Sequence, residues 1–302
     1  MHQIATPALY CLFVWWFSTG LIVFLNNLPQ RSFKWSFGAF TAVALVCLYR
    51  LAQGSGDTSL AGAYAAFTYG VLVWGWHEMA FFMGFLTGPR KIAADPGCRF
   101  STHFRQAVAA CIDHELAILA TGVAVLWACW GAANQIGLWT FMVLWGMRQS
   151  AKLNVFLGVL NLGEAFLPPH LSYLLSFMRR RRMNWLMPLS IGAGSAIVVR
   201  LVQLAGAAGN TPAHRAGLVF LVAMTALAVL EHALLVLPLP FTALWTWWLR
   251  RTPAAPSVGE AAQGAAPAGP ANRVRAKPAA AKLSQPGLAP SSDGWAEQAA
   301  GA

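Results

Sequence analysis

Charge is scarce in this chain of 302 residues. Asp, Glu, Lys and Arg make up 10% of it against 57% hydrophobic residues, where ordinary soluble domains carry about 25% charge. A water-soluble core cannot absorb that much apolar surface, so lipid is the solvent in which the sequence has to be read. The five cysteines show no CxxC spacing, which leaves neither a zinc ribbon nor a disulfide framework. Cys11, Cys47, Cys111 and Cys129 fall in apolar runs, where a thiol serves as a small buried hydrophobe. Glu-x-x-His spacing and dense histidine boxes are missing, which excludes a di-iron carboxylate centre. The last apolar run has no lysine for a Schiff base, so a retinal pigment is excluded too. The first run lacks a basic leader and is followed by Arg31 and Lys34, which marks an uncleaved anchor rather than a signal peptide. No internal repeat is visible.

What is present is a series of apolar runs near 20 residues, each long enough at about 1.5 Å per residue to cross about 30 Å of hydrocarbon. They fall at 7–25, 35–51, 61–85, 104–130, 136–158, 185–205 and 216–237. The expected fold is therefore all-α, a polytopic membrane bundle of about seven transmembrane helices over residues 1–250. Trp15, Trp16, Trp35, Trp127, Trp130 and Trp185 are read as interfacial rings toward the span ends. The net charge of +11 does not form a nucleic-acid face, because the basic residues sit in loops. One set of alternate loops collects Arg31, Lys34, Arg90, Lys91, Arg99, Arg105, the run Arg179, Arg180, Arg181 and Arg182, and then Arg250 and Arg251. The other set has little beyond Arg50 and Arg215. Basic loops stay inside, which places the amino terminus in the periplasm and the carboxyl terminus in the cytoplasm of a bacterial inner, intracytoplasmic membrane. Residues 160–178 read as an interfacial segment with a short helix after Pro168 and Pro169. Residues 241–249 read as an extension of the last helix or a headgroup segment. The Ala/Pro-rich stretch 251–302 reads as a disordered cytoplasmic tail.

The informative residues are the ionisable groups inside the runs, each costing about 2.5–3.5 kcal/mol in lipid on insertion scales. These are His77 and Glu78; Asp113, His114 and Glu115; Arg148 and Lys152; Glu231 and His232, with Arg200 standing apart. Because direction alternates between spans, all but Arg200 belong to the cytoplasmic half, and one polar cluster among spans three, four, five and seven is expected. Four carboxylates against two fixed cations leave a deficit. A structural ion-pair network, a site for a polar or metal-bearing ligand, and a proton or ion pathway all remain open. In the ligand reading, His77, His114 or His232 offers an imidazole nitrogen to a metal such as the magnesium of a chlorophyll. The loop sequences GFLTGPRK (84–91) and NVFLGVLNLGE (154–164) read as helix stops and turns. Their alternative is a cytoplasmic docking surface with Arg90, Lys91 and Arg179 to Arg182 as its cations.

Three long blocks carry a family resemblance: GAYAAFTYGVLVWGWHEMAFFMGFLTGPRK from Gly62, HELAILA from His114, and NQIGLWTFMVLWGMRQSAKLNVFLGVLNLGEAFLPPHLSYL from Asn134. Over roughly residues 5–250 the sequence resembles PuhE, the photosynthetic complex assembly proteins of purple bacteria, whose gene lies beside that for the reaction-centre H subunit. The resemblance implies a membrane factor that assists assembly of reaction-centre and light-harvesting complexes, or that adjusts bacteriochlorophyll supply to them. The expected partners are the bilayer, reaction-centre or light-harvesting subunits and other assembly factors. A transiently held bacteriochlorophyll or precursor is the candidate cofactor. The competing reading is a membrane transporter or enzyme handling a bacteriochlorophyll precursor. The resemblance supplies no catalytic residues, so every site assignment rests on the intramembrane charges.

Overall fold

The computed structural model describes residues 2–164 and 167–238; the calls on 241–249 and on the tail 251–302 lie outside the described residues. Seven α-helices form among the described residues: α1 (His2–Asn26), α2 (Phe33–Gln53), α3 (Leu60–Phe82), α4 (Phe100–Ala128), α5 (Ile136–Leu157), α6 (Leu186–Gly206) and α7 (Pro212–Val236). A 3-10 turn at Gln30–Ser32 precedes α2, and a 3-10 helix at Pro169–Phe177 follows α5. Each apolar run of the sequence maps onto one of these helices. Five helices are long and apolar enough to cross a membrane: α1, α2 counted with its turn, α4, α6 and α7. The other two hold the middle. α3 is built of small and aromatic residues and packs against α1, α2, α4, α5 and α7, while α5, which bears Arg148 and Lys152, packs against α3, α4, α6 and α7.

The outer faces fit lipid. Leu9, Leu45, Leu116, Val123, Leu189 and Val199 are each more than half exposed, a band of apolar surface that costs nothing in hydrocarbon and that a water-soluble monomer does not present. Trp35, Trp127, Trp130 and Trp185 stand at helix ends and are strongly exposed, as expected of interfacial rings. Trp15 and Trp16 correct that reading, because both lie at the middle of α1 rather than toward an end. There the Trp15 indole donates to Glu231 Oε1 at 3.2 Å, supplying a hydrogen bond that lipid cannot. All five cysteines are free thiols; Cys11, Cys47 and Cys129 are buried and Cys111 is half-buried.

Short polar side chains close the helix ends. The Ser59 hydroxyl accepts from Gly62 N at the start of α3, and Thr211 does the same for His214 N at α7, with Pro212 in the first turn; such caps contribute about 1 kcal/mol each. Asn184 Oδ1 accepts from Leu186 N and Met187 N at the start of α6, while its amide donates to the carbonyls of Asn154 and Gly158. α3 stops in a Schellman turn: Gly84 has φ +80°, Gly84 N donates to Phe81 O, and Phe85 N reaches back to Ala80 O, a geometry that favours glycine. The helix-stop reading of both loop sequences therefore holds.

Helices α3 and α5 touch almost backbone to backbone. A Cβ placed on Gly70 would lie 2.8 Å from the Gly137 carbonyl and 3.2 Å from Thr140 Cβ. Small residues permit such approach in a membrane bundle. The two helices run the same way, separated in the chain by α4. Advancing eight residues from the level of Gly70 and Thr140 arrives at Glu78 and Arg148, so this contact sets the register of the charges. Gly70→Leu is expected to destabilise the detergent-solubilised protein by about 1–3 kcal/mol through overpacking, read as a lower midpoint of thermal unfolding. Gly146→Leu, at a position with open space around it, is expected to leave the midpoint unchanged.

Candidate functional site

Two ion pairs between helices share α5. Arg148 Nη2 lies 2.9 Å from Glu78 Oε2 of α3, and Lys152 Nζ lies 2.5 Å from Glu115 Oε1 of α4. The second Glu115 oxygen accepts from the Gln149 amide. All four charged side chains are a third exposed or less. Spacing of four residues puts both cations on one face of α5, where Arg148 stands over the Phe82 ring and Lys152 over the Phe81 ring, 5.9 and 5.6 Å from the centroids. The charge deficit read in the sequence resolves here: two acids are neutralised by two bases, and the other two acids lie elsewhere.

Beside these pairs are two imidazoles without partners. His77 and His114 are 0% and 1% exposed, with ring centroids 6.2 Å apart and planes 78° to one another. Trp76 and Phe141 wall His77 at 4.9 and 6.0 Å, and Phe81 lies 4.8 Å from His114. All four ring nitrogens are buried with no hydrogen-bond partner, as are Glu78 Oε1 and Arg148 Nε. A buried polar group left this way costs about 1–3 kcal/mol. No three His, Cys, Asp or Glu side chains converge as a metal-holding set among the described residues. The pair therefore offers nitrogen donors from two helices and no carboxylate or thiolate.

The remaining intramembrane candidates correct the single-cluster expectation. Asp113 is exposed on α4, since one residue step turns a helix by about 100° and directs it away from the side taken by His114. Glu231 is exposed on α7 and meets Trp15 of α1. His232 is 2% exposed; its Nδ1 donates to the Ala228 carbonyl at 2.8 Å, and its Nε2 stands 3.0 Å from Ser150 Oγ. That hydroxyl lies 2.9 Å from Ser190 Oγ of α6, which accepts from the Asn154 amide. Thus α3, α4 and α5 share the charged site, while α7 joins α5 and α6 through a neutral chain. Arg200 is exposed on α6, apart from both. Sequence reasoning missed Gln149, Ser150, Asn154, Ser190 and Asn184. Polar residues at successive turns of an otherwise apolar run were the available signal.

At the basic end of the bundle, segment 84–91 lies against α4. Arg90 N donates to Ala109 O at 3.2 Å and His114 N donates to Thr87 O at 3.1 Å, so one tie reaches the backbone of a site histidine. A Cβ on Gly88 would stand 2.3 Å from Ala109 O. The docking cations are largely committed within the chain. Arg90 pairs with Asp95 at 2.8 Å, Arg179 lies over the Phe100 and Phe156 rings, Arg180 pairs with Glu164 at 2.7 Å, and the Arg181 stem covers Gly158. Lys91 and Arg182 stand exposed with no ion-pair partner among the described residues. The short helix expected after Pro168 and Pro169 forms as a 3-10 helix whose Leu171, Leu174 and Phe177 pack with Phe81 and Ala110. Its His170 donates from Nε2 to the Phe82 carbonyl at 3.0 Å, and burial holds its pKa below the ordinary 6.5.

A helical bundle with an apolar outer face, five helices long and apolar enough to cross a membrane and two ion pairs between its helices is built as an integral membrane protein. The chain belongs to the family described as a protein of unknown function (DUF3623), which it matches over residues 1–255. It is similar, at 37% identity over 246 residues, to the "uncharacterized 30.4 kDa protein in puhA 5′ region" of Rhodobacter capsulatus; the alignment covers 80% of this chain and 89% of that one. No solved structure matches.

Removing one partner of a buried pair leaves the other charge uncompensated. Glu78→Gln and Arg148→Met are each expected to cost about 3 kcal/mol, and the double variant less than their sum. Unfolding in mixed micelles measures that coupling; strict additivity would exclude the pair. For His170 the depressed folded pKa means that the unfolded state binds the extra proton. Its stabilisation is complete above about pH 6.5 and is lost as pH falls toward the folded value. The thermal midpoint is expected to drop on acidification below that point, and His170→Gln to flatten the dependence.

Proposed function

We propose that this protein is a seven-span inner-membrane factor, amino terminus periplasmic, that assists assembly of photosynthetic reaction-centre and light-harvesting complexes or adjusts bacteriochlorophyll supply to them. Two lines support the reading. The relative from Rhodobacter capsulatus is named for the puhA 5′ region, and the blocks at 62–91, 114–120 and 134–174 resemble the PuhE assembly proteins. The asymmetry of basic loops supports the orientation, with α3 and α5 crossing inside a ring of more apolar helices.

The structural observation that carries the pigment half of the proposal is the His77/His114 pair. Neutral imidazole nitrogen is a suitable axial ligand for the magnesium of a bacteriochlorophyll or its precursor, and here such nitrogens lie unsatisfied between helices. The rings are closed off from any water-sized void, so a macrocycle reaches them only where α3 parts from α4. Such a site holds pigment transiently. The ion pairs to α5 anchor both helices near that seam and limit how far it opens.

Deletion of the gene is expected to lower assembled complexes severalfold while extractable pigment persists. Normal complexes with altered pigment synthesis alone would overturn the assembly role and favour a transporter or enzyme acting on a precursor. Protein purified from photosynthetically grown cells is expected to show bacteriochlorophyll-type absorption that is lost in His77→Ala and His114→Ala. Colourless protein that captures reaction-centre subunits would leave assembly standing and remove the pigment site.

A further inference from the structure

One recess of the molecule belongs to neither the ion pairs nor the histidines. It lies at the basic end, between the turn joining α1 to α2 and the Schellman stop of α3, with a volume of about 510 Å³. Arg31, Lys34 and Gln30 line one side, Phe33 and Phe85 supply apolar wall, and the His170 ring closes it. None of the lining side chains is acidic. Arg31 and Lys34 are exposed and have no ion-pair partner among the described residues.

The recess sits at the level where headgroups lie. Trp35, next in the chain to Lys34, is 73% exposed with the Lys34 ammonium 5.4 Å from its ring centroid, the arrangement of an interfacial aromatic and a cation that reaches toward water. Phe85 is 45% exposed on the same rim, which continues the apolar wall toward the acyl region. The floor is fixed. A Cβ at Gly84 would come within 3.2 Å of His170, and the Phe33 and His170 rings meet edge to face at 5.9 Å. A rigid concave site with two unopposed cations, an amide and an apolar exit fits a phosphate that carries hydrocarbon.

We propose that this recess binds an anionic phospholipid, with the phosphodiester between Arg31 and Lys34 and the upper acyl chain along Phe33 and Phe85. Lys/Arg near an anionic membrane surface each strengthen association about fivefold, so together they favour an anionic over a zwitterionic headgroup by about twentyfold.

The test is native mass spectrometry of the full chain released from nanodiscs containing equal phosphatidylglycerol and phosphatidylcholine. One phosphatidylglycerol is expected to be retained per protein, falling about twentyfold in the Arg31→Gln/Lys34→Gln variant and unchanged in Arg50→Gln/Arg215→Gln at the other end. Equal retention of both lipids, or a double variant that behaves as wild type, overturns the proposal. Displacement of the lipid by millimolar inorganic phosphate would also overturn it, by assigning the recess to a free anion. Thermal unfolding midpoints of the two variants without added lipid verify folding. If Arg31→Gln/Lys34→Gln proves unfolded, Phe85→Ser supplies the second readout, with loss of retention expected because the acyl wall is gone.

Discussion

Charge packed between apolar helices is costly unless it is paired, and the way this chain pairs Glu78 with Arg148 and Glu115 with Lys152 organises the bundle. Both paired bases of the helical interior lie on α5, and their acids lie on α3 and α4. Glu78 is therefore held to a helix with which α3 shares no loop, and Glu115 fixes α4 against the next helix in the chain. The cost of an uncompensated ion in lipid turns these contacts into constraints on helix order. The Gly70/Gly137 contact sets height, and the ion pairs set rotation. Around that frame the outer helices α1, α2, α6 and α7 need little specificity on their lipid faces, which explains why those faces are plain Leu, Val, Ile and Phe.

Polar groups of the interior separate into two systems that serve different ends. The charged one, at α3, α4 and α5, encloses two histidines whose nitrogens have nothing to bond. The neutral one runs from His232 through Ser150 and Ser190 to the Asn154 amide nitrogen, leaves only Asn154 Oδ1 without a partner, and reads as a seam among α5, α6 and α7. The contrast is informative. A fold that gives both ring nitrogens of His232 and the side chain of Asn184 their partners, yet leaves His77 and His114 bare, keeps a local cost that the proposed pigment would relieve.

Much of the helical scaffold was legible, because runs near 20 apolar residues have little alternative to a helix and turn residues such as Gly84, Ser59 and Pro212 mark their ends. Glu78, Glu115, Arg148 and Lys152 were legible as a group by depth alone. What depth could not supply was rotation. Asp113 and Glu231 sit within one residue of His114 and His232 yet face outward, a difference of about 100° that hydropathy does not encode. The partners of the arginine run were out of reach for a related reason: sequence shows where cations lie along the chain, whereas Glu164 and the Phe100 and Phe156 rings that engage Arg180 and Arg179 are brought in by folding. Trp15 was misplaced although it lies at the middle of its own run, 7–25; the hydrogen bond it makes to Glu231 of α7 is brought in by folding.

The segment 84–91 is tied to α4 at two points, one of them the amide of His114, and Gly88 leaves no slack there. Membrane interior and aqueous rim are consequently joined by a stiff linkage a few residues long. A force applied to Pro89 or Lys91, which are exposed, is transmitted to the backbone that carries an imidazole, so an event outside the bilayer can be felt within it without any helix having to slide.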